Sequence, residues 1–138
     1  MADLVVTAAS VSPYAGATKA VGVAGEAFTA GHSVYQKASD KKWYKDDNDN
    51  ALADYLDSGV ALSSALAAGV DCFVCTDGDI NPGATVVIGE SYYTGAAAGG
   101  IAPCADVINP KYPRFLGMGI TASKIRLTPQ NPGVARAA

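Results

Sequence analysis

A seven-residue phrase occurs twice in the chain, at residues 29–35 and again at residues 87–93. In each copy a glycine, Gly31 or Gly89, precedes a short segment that favours an extended backbone and ends in tyrosine. Glycine tolerates positive φ angles, and β-branched and aromatic residues favour the pleated backbone of a sheet. The phrase is therefore typical of a turn that leads into a β-strand, and it indicates a structural role rather than a catalytic one.

Short β-forming segments separated by Gly and Pro run through most of the chain. They are a strand–turn–strand unit at 26–36, its hairpin partner at 42–45, and the segments 59–63, 70–76, 84–88, 91–93, 115–121 and 124–128. Segments this short and this regularly punctuated predict an all-β fold, a small β-barrel or β-sandwich of short antiparallel strands. At most one short helix is expected, at 49–56, where a loop is the alternative.

Composition divides the chain into three regions. Residues 1–25 are rich in Ala, Val, Gly and Thr and predict an extended N-terminal arm, whereas 26–128 predict the β domain and 129–138 a C-terminal tail. A chain of 138 residues is long enough to bury a core without disulfides or a metal ion. One compact β domain with extended ends is the resulting expectation.

Overall charge and hydropathy exclude several partners. The net charge of -3 gives no basic stripe for phosphates, so we expect no nucleic acid partner. No apolar run reaches the roughly 18 residues that span a bilayer, so we expect no membrane partner either. Asp3 stands where a signal peptide would carry Lys or Arg, which argues against secretion.

Charged residues are unevenly distributed along the chain. Acids crowd residues 40–57, whereas after Asp106 the charged residues are all basic, namely Lys111, Arg114, Lys124, Arg126 and Arg136. If the two regions lie on different faces, the basic side of one subunit could dock on an acidic partner. The plainer interpretation, which we favour, is solvated loops and strand edges that carry charge to block unwanted pairing.

Two of the three cysteines have the spacing of a redox or zinc motif. Cys72 and Cys75 form a C-x-x-C pair, and Cys104 stands alone. The pair lies within the strand predicted at 70–76, where the two thiols would point to opposite faces. We therefore expect reduced, buried cysteines that act as small hydrophobic residues.

Two acidic segments resemble calcium loops only in part. Residues 77–83 begin like an EF-hand loop, but Pro82 and Ile88 occupy positions that the motif reserves for other residues, so a turn is expected. Residues 46–50 form a denser oxygen cluster that could hold Ca²⁺ loosely, with a solvated polar loop as the favoured alternative. We predict no metal site and no cofactor.

A catalytic centre is not expected. His32 is the only histidine, and it could act as a base for Ser33 or Ser91 in principle. No nucleophile turn surrounds these serines, and a lone histidine beside a turn glycine is usually a surface residue. The sequence thus predicts a structural or binding protein rather than an enzyme.

Several phrases, taken in order, resemble a family of small tailed-phage head proteins. They are residues 2–11, 22–25 leading into 29–35, then 59–62, 89–93, 99–103, and 116–121 followed by a final strand. Each phrase alone is weakly specific, whereas their order and spacing extend over nearly the whole chain. The acidic stretch 43–57 and the tail after Thr128 depart from the family pattern.

The resemblance implies a capsid decoration (cement) protein with a small β-barrel or β-sandwich fold. Such a protein would be made in the host cytoplasm and would bind the outer surface of the major capsid protein shell, where it bridges capsomers. Binding at local two-fold or three-fold axes implies a dimer or a trimer, and the family analogy favours a trimer.

The N-terminal arm is the predicted partner-binding element. Its residues Leu4, Val5, Val6 and Thr7 have the β propensity to add a strand to a neighbouring sheet edge, and Tyr14 could anchor them. A disordered terminus is the alternative.

Two aromatic residues suggest an alternative function, which is binding to glycans or to a host. Trp43 and Tyr44 lie beside the acidic stretch, and exposed rings there could stack on sugars in a glycan-binding or host-adhesion module. The ordinary alternative is that one ring packs in the core while the other covers the hairpin.

Overall fold

The computed structural model describes residues 3–49, 54–107 and 111–132. These residues form strands joined by turns and loops, and the all-β prediction is confirmed. The strands are β1 (Val11–Pro13), β2 (Thr18–Ala24), β3 (Ser33–Gln36), β4 (Lys42–Lys45), β5 (Asp57–Ala61), β6 (Asp71–Pro82), β7 (Ser91–Thr94), β8 (Ile101–Pro103), β9 (Phe115–Thr121) and β10 (Lys124–Gln130). Two 3₁₀ turns, Ala8–Ser10 and Cys104–Asp106, complete the described elements.

Five strands close into a small barrel. Their order is β2-β4-β3-β5-β6, and β6 pairs back with β2 to complete the ring. All neighbours in the barrel are antiparallel except β2 and β4, which run parallel. Closure removes the free edges that would otherwise invite pairing with other chains. The predicted hairpin is present, with Tyr35 of β3 opposite Tyr44 of β4.

A second, fully antiparallel sheet continues from the barrel in the order β1-β6-β10-β9-β7-β8. The long strand β6 belongs to both sheets, and it passes from one to the other at Gly78. This glycine has a φ of +94°, and a Cβ there would lie 2.8 Å from the Cα of Ala17. Glycine is therefore required where the shared strand changes sheets.

Each sheet has its own hydrophobic core. The barrel core consists of Ala24, Phe28, Val34, Trp43, Ala61, Ala65, Cys72 and Val74. The core of the second sheet consists of Val60, Cys75, Ile80, Val86, Tyr92, Ile101, Leu116, Ile125 and Leu127. Cys72 and Cys75 thus enter different cores from opposite faces of β6, which confirms their predicted burial.

The two copies of the repeated phrase occupy equivalent places in the two sheets. Gly31 has a φ of +91° and precedes β3 in the barrel, whereas Gly89 has a φ of +83° and precedes β7 in the second sheet. The predicted succession of a glycine turn and a strand is confirmed in both copies.

The N-terminal arm ends before the boundary expected at residue 25. Strands β1 and β2 both pair with β6, so residues 11–13 and 18–24 of the predicted arm belong to the sheets. The small residues of β2 contributed to the prediction of an extended arm, but the barrel needs them. A Cβ on Gly22 would lie 2.6 Å from Nε1 of Trp43, so a large side chain cannot occupy this position.

Three further segments differ from expectation. Residues 77–82, predicted to turn, form the second half of β6. Residues 84–88, predicted as a strand, form a loop in which Val86 enters the core and the Val87 N–H donates to the Tyr92 hydroxyl at 2.9 Å. Residues 129–130 of the predicted tail complete β10. The rest of the tail from residue 133, and residues 50–53 of the possible helix, lie outside the described residues.

Candidate functional site

A buried polar cluster joins the barrel to the second sheet. The carboxylate of Asp46, just after β4, accepts hydrogen bonds from Arg114 Nη2 at 2.7 Å and from Arg114 Nε at 3.0 Å. Thr94 of β7 donates its hydroxyl to the same carboxylate at 3.1 Å, and Ser33 of β3 lies 2.9 Å from the Thr94 hydroxyl. Ser33 begins β3 of the barrel and Thr94 ends β7 of the second sheet, so the cluster connects the two strands that overlap the repeated phrases.

Backbone groups close the same cluster. Asn48 donates its side-chain amide to the Thr94 carbonyl at 3.1 Å, and the Gly99 N–H donates to the Asp46 carbonyl at 2.7 Å. Burial raises the pKa of Asp46, and the charge and hydrogen bonds of Arg114 oppose that rise. Because the buried Arg114 guanidinium donates hydrogen bonds from two nitrogens to the Asp46 carboxylate, we describe this carboxylate as ionised.

Charge pairing within the chain uses the basic residues of the C-terminal region. Arg114 binds Asp46, and Lys111 lies against Asp49. Arg126 contacts Asp79 at 2.9 Å, with Lys124 Nζ 3.8 Å from the same carboxylate. The two charge-rich regions therefore do not form separate acidic and basic faces in the described residues. The plainer interpretation of solvated charges fails at Arg114 and Asp46, which are buried as a pair.

The outer face of the barrel carries an apolar pair that we call the barrel patch. Val21 of β2 and Phe73 of β6 lie directly opposite each other across the two strands. Val21 is 73% exposed and Phe73 is 48% exposed. The adjoining loop between β5 and β6 exposes Leu66 and Val70 as well. Neighbouring exposed apolar side chains are typical of a surface that binds another macromolecule.

A second exposed apolar pair, the loop patch, lies in the loop between β6 and β7. It consists of Val87 and Ile88, and Ile88 is 70% exposed. The Gly89 N–H donates to the Gly119 carbonyl at 2.8 Å, which holds this loop against β9 of the second sheet. The loop patch and the barrel patch therefore belong to different sheets.

The predicted arm residues lie on the chain's own domain. The Leu4 N–H donates to the Ile101 carbonyl at 2.9 Å, and the Leu4 side chain packs against the core of the second sheet. The Thr7 N–H donates to the Gly83 carbonyl at 2.8 Å. Val6 fills the space beside Gly31, because a Cβ added to Gly31 would lie 2.3 Å from Val6 Cγ1.

Val5 differs from its neighbours in the arm because its side chain is 87% exposed. Tyr14, the predicted anchor, also contacts its own domain. Its hydroxyl lies 3.4 Å from the Ser123 hydroxyl, and Lys124 Nζ lies 4.5 Å from the centre of its ring. Of the five residues predicted to bind a partner, Val5 is the one that exposes a large apolar side chain.

The two aromatic residues considered for glycan binding have ordinary structural roles. Trp43 is buried in the barrel, so its faces cannot stack on a sugar. Tyr44 covers the hairpin with its ring centre 6.0 Å from that of Tyr35 and with Lys37 Nζ 4.1 Å above it. Its hydroxyl donates to Asp40 at 2.5 Å, which raises the pKa of Tyr44 to about 12.

His32 and the acidic segments have local partners. The Thr29 N–H donates to His32 Nδ1 at 3.1 Å, which places the ring proton on Nε2. In the 46–50 cluster Asp46 binds Arg114, and no group of three or more His, Cys, Asp or Glu residues could hold a metal ion within the described ranges. In the same part of the chain, no helix is long and apolar enough to cross a bilayer.

Comparison with known proteins adds no relative. No protein-family model matches the sequence, and no curated protein or solved structure is significantly similar to it.

Proposed function

We propose that this protein decorates the head of a tailed phage by binding the outer surface of the major capsid protein shell. The observation that carries the proposal is the pair of exposed apolar patches, one on the barrel and one on the second sheet. A subunit that bridges two neighbouring capsomers needs two separate binding surfaces, and these patches supply them. The order of the phage-head phrases along the chain points to the same function.

Capsid decoration is a mechanical role that needs binding surfaces and no catalytic site. Packaged DNA pushes outward on a shell, and a bridging subunit opposes this pressure by adding interface area rather than chemistry. A stable contact buries about 1,200–2,000 Å² in total, so each patch would form the apolar centre of a larger polar contact. The exposed side chain of Val5 adds apolar surface to the arm.

The proposal includes self-association and a place on the virion. Local symmetry axes of a shell present identical binding sites around a point, and a decoration protein that matches them is a dimer or a trimer, with the trimer preferred by family analogy. The protein would be made in the host cytoplasm and carried on the outside of the capsid.

Serine variants of the two patches test this assignment. Phe73→Ser on the barrel patch and Ile88→Ser on the loop patch should each lower the occupancy of expanded, undecorated heads in a cosedimentation assay. Leu56→Ser is the matched control, because Leu56 is a comparably exposed apolar residue that immediately precedes β5, outside both patches. Unchanged occupancy for both patch variants would contradict the proposed contact surfaces.

A further inference from the structure

A groove of about 540 Å³ lies on the second sheet, and none of its described lining residues belongs to either apolar patch. It is lined by Tyr93, Pro113, Phe115, Gln130, Asn131 and Pro132. None of these six side chains carries a charge. Ligand pockets typically measure about 300–1,000 Å³ and combine aromatic walls with a few polar groups, and this groove has both properties.

Three of the lining residues form a row across adjacent strands. Tyr93 of β7 lies opposite Phe115 of β9, and Phe115 lies opposite Gln130 of β10. Residues directly opposite each other in antiparallel strands project from the same face of a sheet. Two aromatic rings and one amide side chain are therefore presented side by side.

The sheet is irregular on both sides of Phe115. The pairing of β7 with β9 shifts register between Tyr92 and Tyr93, and the pairing of β10 with β9 shifts between Leu127 and Gln130. Pro129 lies within the second irregularity, where its missing N–H cannot disturb a regular ladder. Bulges redirect side chains and are frequent beside binding sites. Here the first shift places Phe115, rather than Leu116, opposite Tyr93.

The two rings meet as a corner. The ring centres of Tyr93 and Phe115 lie 5.4 Å apart, and their planes make an angle of 72°. A corner of this kind offers one ring face and one ring edge to the same small object. The apolar C–H face of a pyranose ring packs well on aromatic carbon, while its hydroxyl groups need amide or hydroxyl partners.

We propose that this groove binds a neutral pyranose unit of a polysaccharide. Phe115 and Tyr93 would contact the sugar's C–H groups, and the Gln130 amide would exchange hydrogen bonds with its hydroxyl groups. The six described lining side chains are uncharged and match an uncharged ligand. Proline-rich peptides also dock on aromatic grooves, but they use an extended track of rings, whereas this site is a single corner closed by two prolines.

This inference goes beyond capsid attachment and does not depend on it. A protein held on a shell through its two apolar patches could still bind polysaccharide, because the groove residues belong to neither patch. Failure to bind phage heads would leave the sugar site standing, and failure to bind sugar would leave the attachment proposal standing.

Saturation-transfer NMR with a fixed panel of neutral hexasaccharides tests the groove, the panel being maltohexaose, cellohexaose, laminarihexaose and mannohexaose. We expect at least one of them to bind, with Phe115→Leu and Gln130→Ala each weakening its affinity by about tenfold. Phe115→Leu keeps an apolar side chain and removes the ring, so the fold should survive. Dispersed backbone spectra of each variant check that it does.

Tyr44→Ala is the control, because it removes a hairpin aromatic residue remote in sequence from the groove and should leave the affinity unchanged. A proline decapeptide serves as the competing ligand. The proposal is overturned if no hexasaccharide binds, if binding is equal in Phe115→Leu and the unmodified protein, or if only the proline peptide binds.

Discussion

The guanidinium of Arg114 and the carboxylate of Asp46 lie 2.7 Å apart and are both buried, although 68 positions separate them in the chain. Arg114 immediately precedes β9 of the second sheet, and Asp46 immediately follows β4 of the barrel. Thr94 of β7 donates to the same carboxylate. The pair therefore fixes how the two sheets meet, and this junction positions the barrel patch relative to the loop patch.

Removing one member of this pair should destabilise the fold strongly. Arg114→Ala leaves a buried carboxylate without its cation, and we expect a loss of about 3–5 kcal/mol in the free energy of unfolding. Urea denaturation followed by circular dichroism measures it. Arg126→Ala is the matched control, since Arg126 pairs with Asp79 at the surface and its loss should barely move the midpoint. Similar effects of the two substitutions would contradict the role given to the buried pair.

The sequence was sufficient for those strands and faces that local pattern alone determines. The bounds predicted for β9 are those observed, and the hairpin of β3 and β4 follows from its turn residues. The opposite burial of Cys72 and Cys75 follows from the two-residue period of a strand. These features depend on neighbouring residues alone, which explains why pattern and turn chemistry predicted them.

Other features depend on contacts that are distant in sequence. The sequence predicted surface charges at Asp46 and Arg114, because no local pattern marks a pair so far apart in the chain. The row of Tyr93, Phe115 and Gln130 was missed because two register shifts break the alternation of faces. The role of β2 was missed because its small residues reflect the size of Trp43 on the neighbouring strand β4, which is distant in sequence.

Gly22→Ala tests the packing beneath Trp43. The added Cβ would lie 2.6 Å from Trp43 Nε1, so the ring must shift. We expect a loss of about 1–3 kcal/mol in unfolding free energy, as is usual for overpacked cores. Because Trp43 is the only tryptophan of the chain, its fluorescence spectrum should change as well. An unaltered spectrum together with unaltered stability would show that the barrel has room at this position.

His32 should make stability depend on pH near neutrality. Burial, and secondarily Lys45, lowers the pKa of His32 below its ordinary value of about 6.5, while Glu26 opposes the shift. The unfolded chain then binds a proton before the folded protein does, so stability should fall as the pH drops below about 6.5. His32→Asn keeps an acceptor for the Thr29 N–H and removes the titration. Denaturation midpoints at pH 7.5 and 5.5 should therefore converge in the variant, and an undiminished pH dependence would exclude His32 as its source.

Substitutions at Leu4 and Val5 distinguish two roles of the N-terminal arm, namely packing on its own domain and binding to the capsid. Leu4→Ala removes a half-buried anchor and should cost about 1–2 kcal/mol of unfolding free energy. Val5→Asp alters an exposed side chain, so it should leave stability unchanged while it weakens attachment to phage heads. Thermal unfolding and cosedimentation measure the two effects. Normal head binding by Val5→Asp would remove the arm's outer face from the contact surface.

Deletion of residues 2–7 extends this test to the whole arm. The cut stops before the 3₁₀ turn at Ala8–Ser10 because β1 begins at Val11 and pairs with β6. We expect a folded but less stable domain with reduced occupancy of phage heads. Full occupancy by the truncated protein would show that the arm serves its own domain alone.

The most direct test of capsid decoration is a binding isotherm of the unmodified protein on expanded, undecorated phage heads, measured by cosedimentation. The proposal predicts saturation at a fixed molar ratio to the major capsid protein, with bound heads that resist heat or osmotic shock better than bare ones. Binding that never saturates, or no binding to heads at all, would contradict it.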